Sequence, residues 1–241
     1  ILFKFFIILP AKSIEPFEFD VTFLEILENG NIIKGSKGGS AFTNNRNTVI
    51  KAENFEYDKI LKILKANGNV EIIDLEKNIT LIAPKINYLK NTNQIFTEGL
   101  TKINLENKYN FVSEDVLLNR DKMIISSKRK SKIFDNSNTI YEIDKFNFLI
   151  ESKILKGNNV SIKENLGISK NDSDHFFFKN GIFNLEKKTF KASDTKIELK
   201  KNIFDNLDND PRIIGLSSFK EGDLTVIEKG VFTSCAKNDR C

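Results

Sequence analysis

Ile50-Lys51-Ala52-Glu53-Asn54-Phe55-Glu56-Tyr57 is the stretch on which the fold turns. Ile50 and Ala52 are two residues apart, the spacing of one face of a strand, and so are Phe55 and Tyr57. The two pairs lie on opposite parity, however. A three-residue step inside strand-like sequence predicts a bulge or corner, where the chain bends so that both halves point inward. The small residue before the step leaves room for the bend. The pattern recurs as Leu81-x-Ala83-x-x-Ile86-x-Tyr88, Phe111-x-Ser113-x-x-Val116-x-Leu118 and Tyr141-x-Ile143-x-x-Phe146-x-Phe148. Its central positions, 52, 83, 113 and 143, are 31, 30 and 30 residues apart. A fainter copy, Ser173-x-x-Phe176-x-Phe178, follows, with polar Asn171 in place of the first apolar residue.

A fixed period in this range implies stacked supersecondary units, each needing a neighbour to cover its apolar surface. Phe17 to Phe23 alternates apolar and polar as a half-buried strand, extended by Leu24 to Leu27, and Glu28-Asn29-Gly30-Asn31 reads as a hairpin turn. Gly35 to Gly39 reads as a loop. Asn67-Gly68, Glu98-Gly99 and Gly157-Asn158-Asn159 read as turns between the outgoing and returning halves of each repeat. No window holds a sustained helical stripe, and β-branched residues and Asn dominate. The expectation is an all-β chain of antiparallel strands, a β-solenoid-like stack or an elongated jelly roll. After Gly181, strand pieces continue through Phe190-x-Ala192-x-x-Thr195-x-Ile197, a polar stretch from Asn202 to Asp210, and Leu224 to Ile227 beyond a turn at Glu221-Gly222-Asp223.

The chain has 241 residues, with 37 basic against 33 acidic, a formal charge of +4. So small an excess excludes a nucleic-acid footprint over the whole surface. One basic cluster stands out, Lys128, Arg129, Lys130 and Lys132; it reads as an exposed strand end, or as a contact for phosphates or an acidic partner. Ile1 to Leu9, apolar apart from Lys4, is too short to span a bilayer, which takes ~20 residues, and matches the apolar part of a secretory signal with Ala11-x-Ser13 as a cleavage site. Export to the periplasm of a Gram-negative cell is the expectation. Two cysteines, Cys235 and Cys241, could bridge each other, bind a metal with outside ligands, or pair elsewhere. The one histidine, His175, lies beside Phe176-Phe177-Phe178 and near Asp172 and Asp174, and reads as structural. No nucleophile motif, phosphate loop or metal-ligand spacing is present, so the chain is expected to be no enzyme and to take no cofactor and no metal.

The Ala-x-x-[Phe/Ile]-x-Tyr core, the Asn-Gly-Asn-Val turn and the strand after it resemble the organic-solvent-tolerance repeat of the lipopolysaccharide transport proteins. Phe204-Asp205-Asn206, Asn209-Asp210-Pro211-Arg212-Ile213-Ile214-Gly215 and Gly230-Val231-Phe232-Thr233-Ser234-Cys235, with Cys241 six on, resemble the segment leading into the barrel of that family's outer-membrane assembly branch. The resemblance implies an open, twisted β-jelly roll with a V-shaped apolar groove for the acyl chains of lipid A. It divides the chain into a signal remnant at 1–13, jelly-roll repeats at 14–200, and the end of the jelly roll with a barrel junction at 201–241. The implied groove lining is Ile50, Ala52, Phe55, Tyr57 and Leu81, then Ile86, Phe111, Val116, Phe146 and Phe148. It implies edge-strand addition to a periplasmic bridge protein of the same fold, and a plugging outer-membrane lipoprotein as partner only where the barrel is present. In that family the cysteines at the junction bond to cysteines at the far end of the barrel, and Cys235 and Cys241 match the junction positions; without those partners they pair with each other or stay free. The alternatives are a soluble bridge component of the same pathway, or an unrelated β-solenoid adhesin or polysaccharide-binding module.

Overall fold

A computed structural model describes residues 16–164, 173–204 and 208–236. The expected signal segment 1–13, Asn171, Asp172 and Cys241 lie outside the described residues. The chain is all-β and jelly-roll-like. Its strands are β1 (Phe17–Leu27), β2 (Ile32–Thr43), β3 (Thr48–Ala52), β4 (Asn54–Asp58), β5 (Ile63–Asp74) and β6 (Ile79–Leu89). They continue as β7 (Gln94–Glu98), β8 (Leu100–Leu105), β9 (Tyr109–Glu114), β10 (Leu117–Asn119), β11 (Ile124–Ser127), β12 (Ser131–Asp135) and β13 (Ile140–Ile143). The last are β14 (Lys145–Leu149), β15 (Ile154–Lys163), β16 (His175–Asn184), β17 (Thr189–Glu198), β18 (Arg212–Glu221), β19 (Leu224–Glu228) and β20 (Val231–Thr233). Among the described residues no helix is long and apolar enough to cross a membrane.

All twenty strands among the described residues belong to one antiparallel network. The register shows how it is built. β3 and β4 both pair with β5, β7 and β8 both pair with β6, and β13 and β14 both pair with β15. A short pair such as β3–β4 is therefore one crossing broken at a corner, equivalent to an unbroken strand such as β5. The chain is a meander of such crossings, each bent near its middle, so the network folds along a crease into two facing sheets. One sheet carries β3, β8, β9, β12 and β13; the other carries β4, β7, β10, β11 and β14. At ~4.8 Å per strand, fourteen crossings extend roughly 60 Å. The thirty-residue period is one crossing out and one back.

The corner predicted from parity is present. β3 ends at Ala52 and β4 begins at Asn54; β9 ends at Glu114 and β10 begins at Leu117; β13 ends at Ile143 and β14 begins at Lys145. In all four clear repeats the apolar residues on both sides of the step are buried.

Three turn assignments from sequence are corrected. Asn67-Gly68 lies inside β5, Gly157-Asn158-Asn159 lies inside β15, and Glu98-Gly99 joins two halves of one crossing. All are corners. Gly68, Asn69, Gly99 and Asn159 have positive φ, which a bulge needs as much as a turn does. Gly35 to Gly39 is likewise no loop but the middle of β2, bending at Lys37 and Gly38. The true reversals fall elsewhere, at Glu28–Gly30 as read, and at short connections such as 59–62, 75–78 and 120–123.

Candidate functional site

The ten residues expected to line a groove all point into the space between the two sheets and belong to one continuous core. Ile50, Leu81, Ile86 and Phe148 are 0% exposed, and the most exposed of the ten, Ala52, is 8%. The V-shaped space is filled by their own side chains. Aromatic pairs lace one sheet to the other: Phe17 with Tyr57 at 5.1 Å, Phe111 with Phe148 at 5.1 Å, and Phe178 with Phe190 at 5.0 Å between ring centroids. Each such pair contributes about 0.5–1.5 kcal/mol beyond the area it buries.

The interior changes character from crease to mouth. Near the crease the inward positions are small hydroxyl residues bonded to each other within a crossing or between neighbouring ones. Thr97 Oγ1 meets Thr101 Oγ1 at 2.6 Å and accepts the Val116 N–H at 2.8 Å. Ser113 meets Ser131 at 2.7 Å, and Thr195 meets Ser218 at 2.6 Å. Among the described residues no buried side-chain nitrogen or oxygen lacks a partner. The large aromatic rings lie farther out, toward the margins that face each other.

Those margins are tied together by charge. Arg120, in the turn after β10 on one sheet, donates to Asp74 Oδ2 at the end of β5 on the other (2.5 Å), to Thr48 Oγ1 (2.7 Å) and to the Tyr88 hydroxyl (2.7 Å). Asp74 is 3% exposed. Farther along the mouth, Lys153 after β14 bonds Glu106 after β8 at 2.6 Å, and Lys153 is itself buried. A third link joins Lys188 Nζ to Ser137 Oγ at 2.8 Å. These clasps were not read from sequence. A faint signal exists: Asp74 continues the inward parity of Val70 and Ile72, a carboxylate on a core position.

The remaining expected sites are simply placed. His175 begins β16, with Nε2 2.8 Å from Ser161 Oγ and its ring centroid 3.9 Å from that of Phe177, a structural setting. Arg212, from the junction motif, donates to the carbonyls of Asp210 (3.0 Å) and Cys235 (2.8 Å) and so fixes the last strand segment. The pairing partner expected for Cys235, Cys241 or another, lies outside the described residues. No cluster of metal-binding side chains occurs among the described residues.

Among the described residues both ends of the stack leave strands half paired. There β1 pairs only with β2, and β19 and β20 only with β18. Phe23, Leu24, Ile26 and Leu27 at one end, and Leu224, Val231 and Phe232 at the other, are exposed. A large open trough of about 1160 Å³ lies on neither end but on the outer face of the second sheet. The sequence matches no protein-family model and no curated protein significantly.

Proposed function

We propose that this chain is a non-enzymatic carrier of lipopolysaccharide at the periplasmic face of a Gram-negative outer membrane, holding lipid A acyl chains between its two sheets. The observation that carries the reading is the repeated corner. Copy after copy aims Ile50, Phe55 and Tyr57, or their equivalents, into one interior that runs the length of the stack. An interior of that form accepts long apolar chains side by side, at roughly 25 cal/mol per Å² of acyl surface covered. The crease, lined with paired hydroxyls, stays shut, while the aromatic side opens.

Entry then requires the margins to part. The side chains that fill the space rotate outward, and acyl chains replace ring-to-ring contacts with similar apolar burial. The clasps of Arg120 with Asp74 and Lys153 with Glu106 set what opening costs, and they close the walls again after the lipid leaves. In this reading the two exposed ends join a bridge protein of the same fold by strand addition. The finer assignment, to the periplasmic part of an outer-membrane assembly protein, rests on the resemblance of the segment 204–235, and a plugging lipoprotein partner follows only with a barrel.

Titration of the chain with lipopolysaccharide, with lipid A and with fully deacylated lipopolysaccharide tests this. The first two bind and displace an apolar fluorophore; the deacylated form does not. Equal binding of the deacylated form would contradict an acyl-chain site.

A further inference from the structure

The trough on the outer face of the second sheet is built from side chains that play no part in the core. Strand register aligns one outward row across seven strands: Phe96 beside Leu117, then Ser126, Asn147, Lys156, and on through Ile182 to Lys191. Six strand spacings make that row about 29 Å long before curvature is counted. The backbone of Gly157 and Gly181 lies in its floor, their absent side chains leaving room on the core side for Ile143 and Phe183.

The charges differ from those on several other strands. There, outward lysines are matched across strands: Lys51 with Glu71, Lys65 with Glu56, Lys85 with Glu98, Lys132 with Glu142. In the trough Lys145, Lys156 and Lys191 stand exposed, joined at the rim by Lys128, and none has a carboxylate at ion-pair distance among the described residues. Their neighbours are amides and hydroxyls instead. Asn158 bonds Asn180, which reaches toward Ser193 at 3.4 Å. The acidic residue in the lining, Asp115, is taken up by Arg129 at 3.0 Å.

We propose that this trough binds an acidic saccharide chain. Uncompensated lysines along an elongated concavity fit a ligand with negative charges spaced along its length. Asparagine and serine side chains fit its hydroxyls, donating and accepting as sugars require. A nucleic-acid strand would need a row of stacking aromatics, and the row offers Phe96 alone. A lipid tail would need a continuous apolar wall, which Lys156 and Asn147 interrupt. The site lies outside the two-sheet interior, so it stands or falls apart from the acyl-chain reading.

Binding of a fluorescent oligogalacturonate to the whole chain, followed by polarisation at low salt, tests the proposal. The triple variant Lys145→Gln, Lys156→Gln, Lys191→Gln should weaken binding about tenfold, the product of three modest surface charge contacts. A control of equal charge, Lys51→Gln, Lys65→Gln, Lys85→Gln, should leave it unchanged, and neutral maltodextrin should not bind. Both triples change exposed side chains, and circular dichroism with a thermal melt checks that they fold. Equal losses in the two triples, no binding of the oligogalacturonate, or tighter binding of a single-stranded oligonucleotide would overturn the proposal.

Discussion

Arg120 ties one margin of the interior to the other. It reaches from one sheet to a carboxylate on the other that is almost wholly buried, and Thr48 and Tyr88 complete its donor set. Truncating it strands Asp74 in a low-dielectric site. Arg120→Ala is therefore expected to cost about 3–5 kcal/mol in urea denaturation, whereas the double variant Arg120→Ala, Asp74→Ala should recover part of that loss. Additive losses would show that the pair is not coupled. Tyr141 provides a second residue-scale handle. Burial, aided by the charges of Asp135 and Glu164, pushes its hydroxyl above the ordinary value of 10.0, so the folded state favours the neutral form. The stability this provides is full below about pH 10 and declines as pH rises toward the folded value. Thermal melts of Tyr141→Phe should lose less stability above pH 10 than those of the parent chain. At neutral pH the variant should be about 0.5–1.5 kcal/mol less stable, through the lost interaction of the hydroxyl with the Asp135 carboxylate.

At the scale of elements, the corner is the feature that sequence reveals and also disguises. The parity step from Ala52 to Phe55 located the bend, since inward burial on both sides of a corner leaves a period-two pattern with one extra residue. The same corners also carry glycine and asparagine, because a bulged strand needs positive φ. Turn chemistry and bulge chemistry are therefore indistinguishable in one dimension. Gly68 read as a reversal although the chain runs straight on through β5. A second effect follows from Glu53, whose N–H bonds the Gly68 carbonyl (3.1 Å) and whose side chain fills the space where a Cβ would go. Gly68→Ala should destabilise by more than about 1 kcal/mol, combining positive-φ strain with that overlap, as read from a shift in the denaturation midpoint. The core positions were legible for the same reason the bend was. The clasps and the trough were not. Arg120 meets Asp74 only after the sheet folds over on its crease, and Lys145, Lys156 and Lys191 line up only once strand register is known.

Over the described residues the molecule is a folded meander with an apolar interior, two tied margins and an exposed strand at each end. An exposed edge with Phe23, Leu24 and Ile26 invites another strand. Ile26→Lys should suppress concentration-dependent self-association in sedimentation velocity while leaving the melting curve nearly unchanged; association that persists would place the contact elsewhere. The larger question is whether the interior opens to lipid. A photo-crosslinking residue in place of Phe55, Phe111 or Phe146 faces that interior, and one in place of exposed Lys65 or Lys102 faces solvent. On irradiation with lipopolysaccharide, the three interior positions should form a lipid adduct and the two exposed ones should not. Adducts of equal yield at both sets, or none at the interior positions, would contradict acyl-chain binding between the sheets.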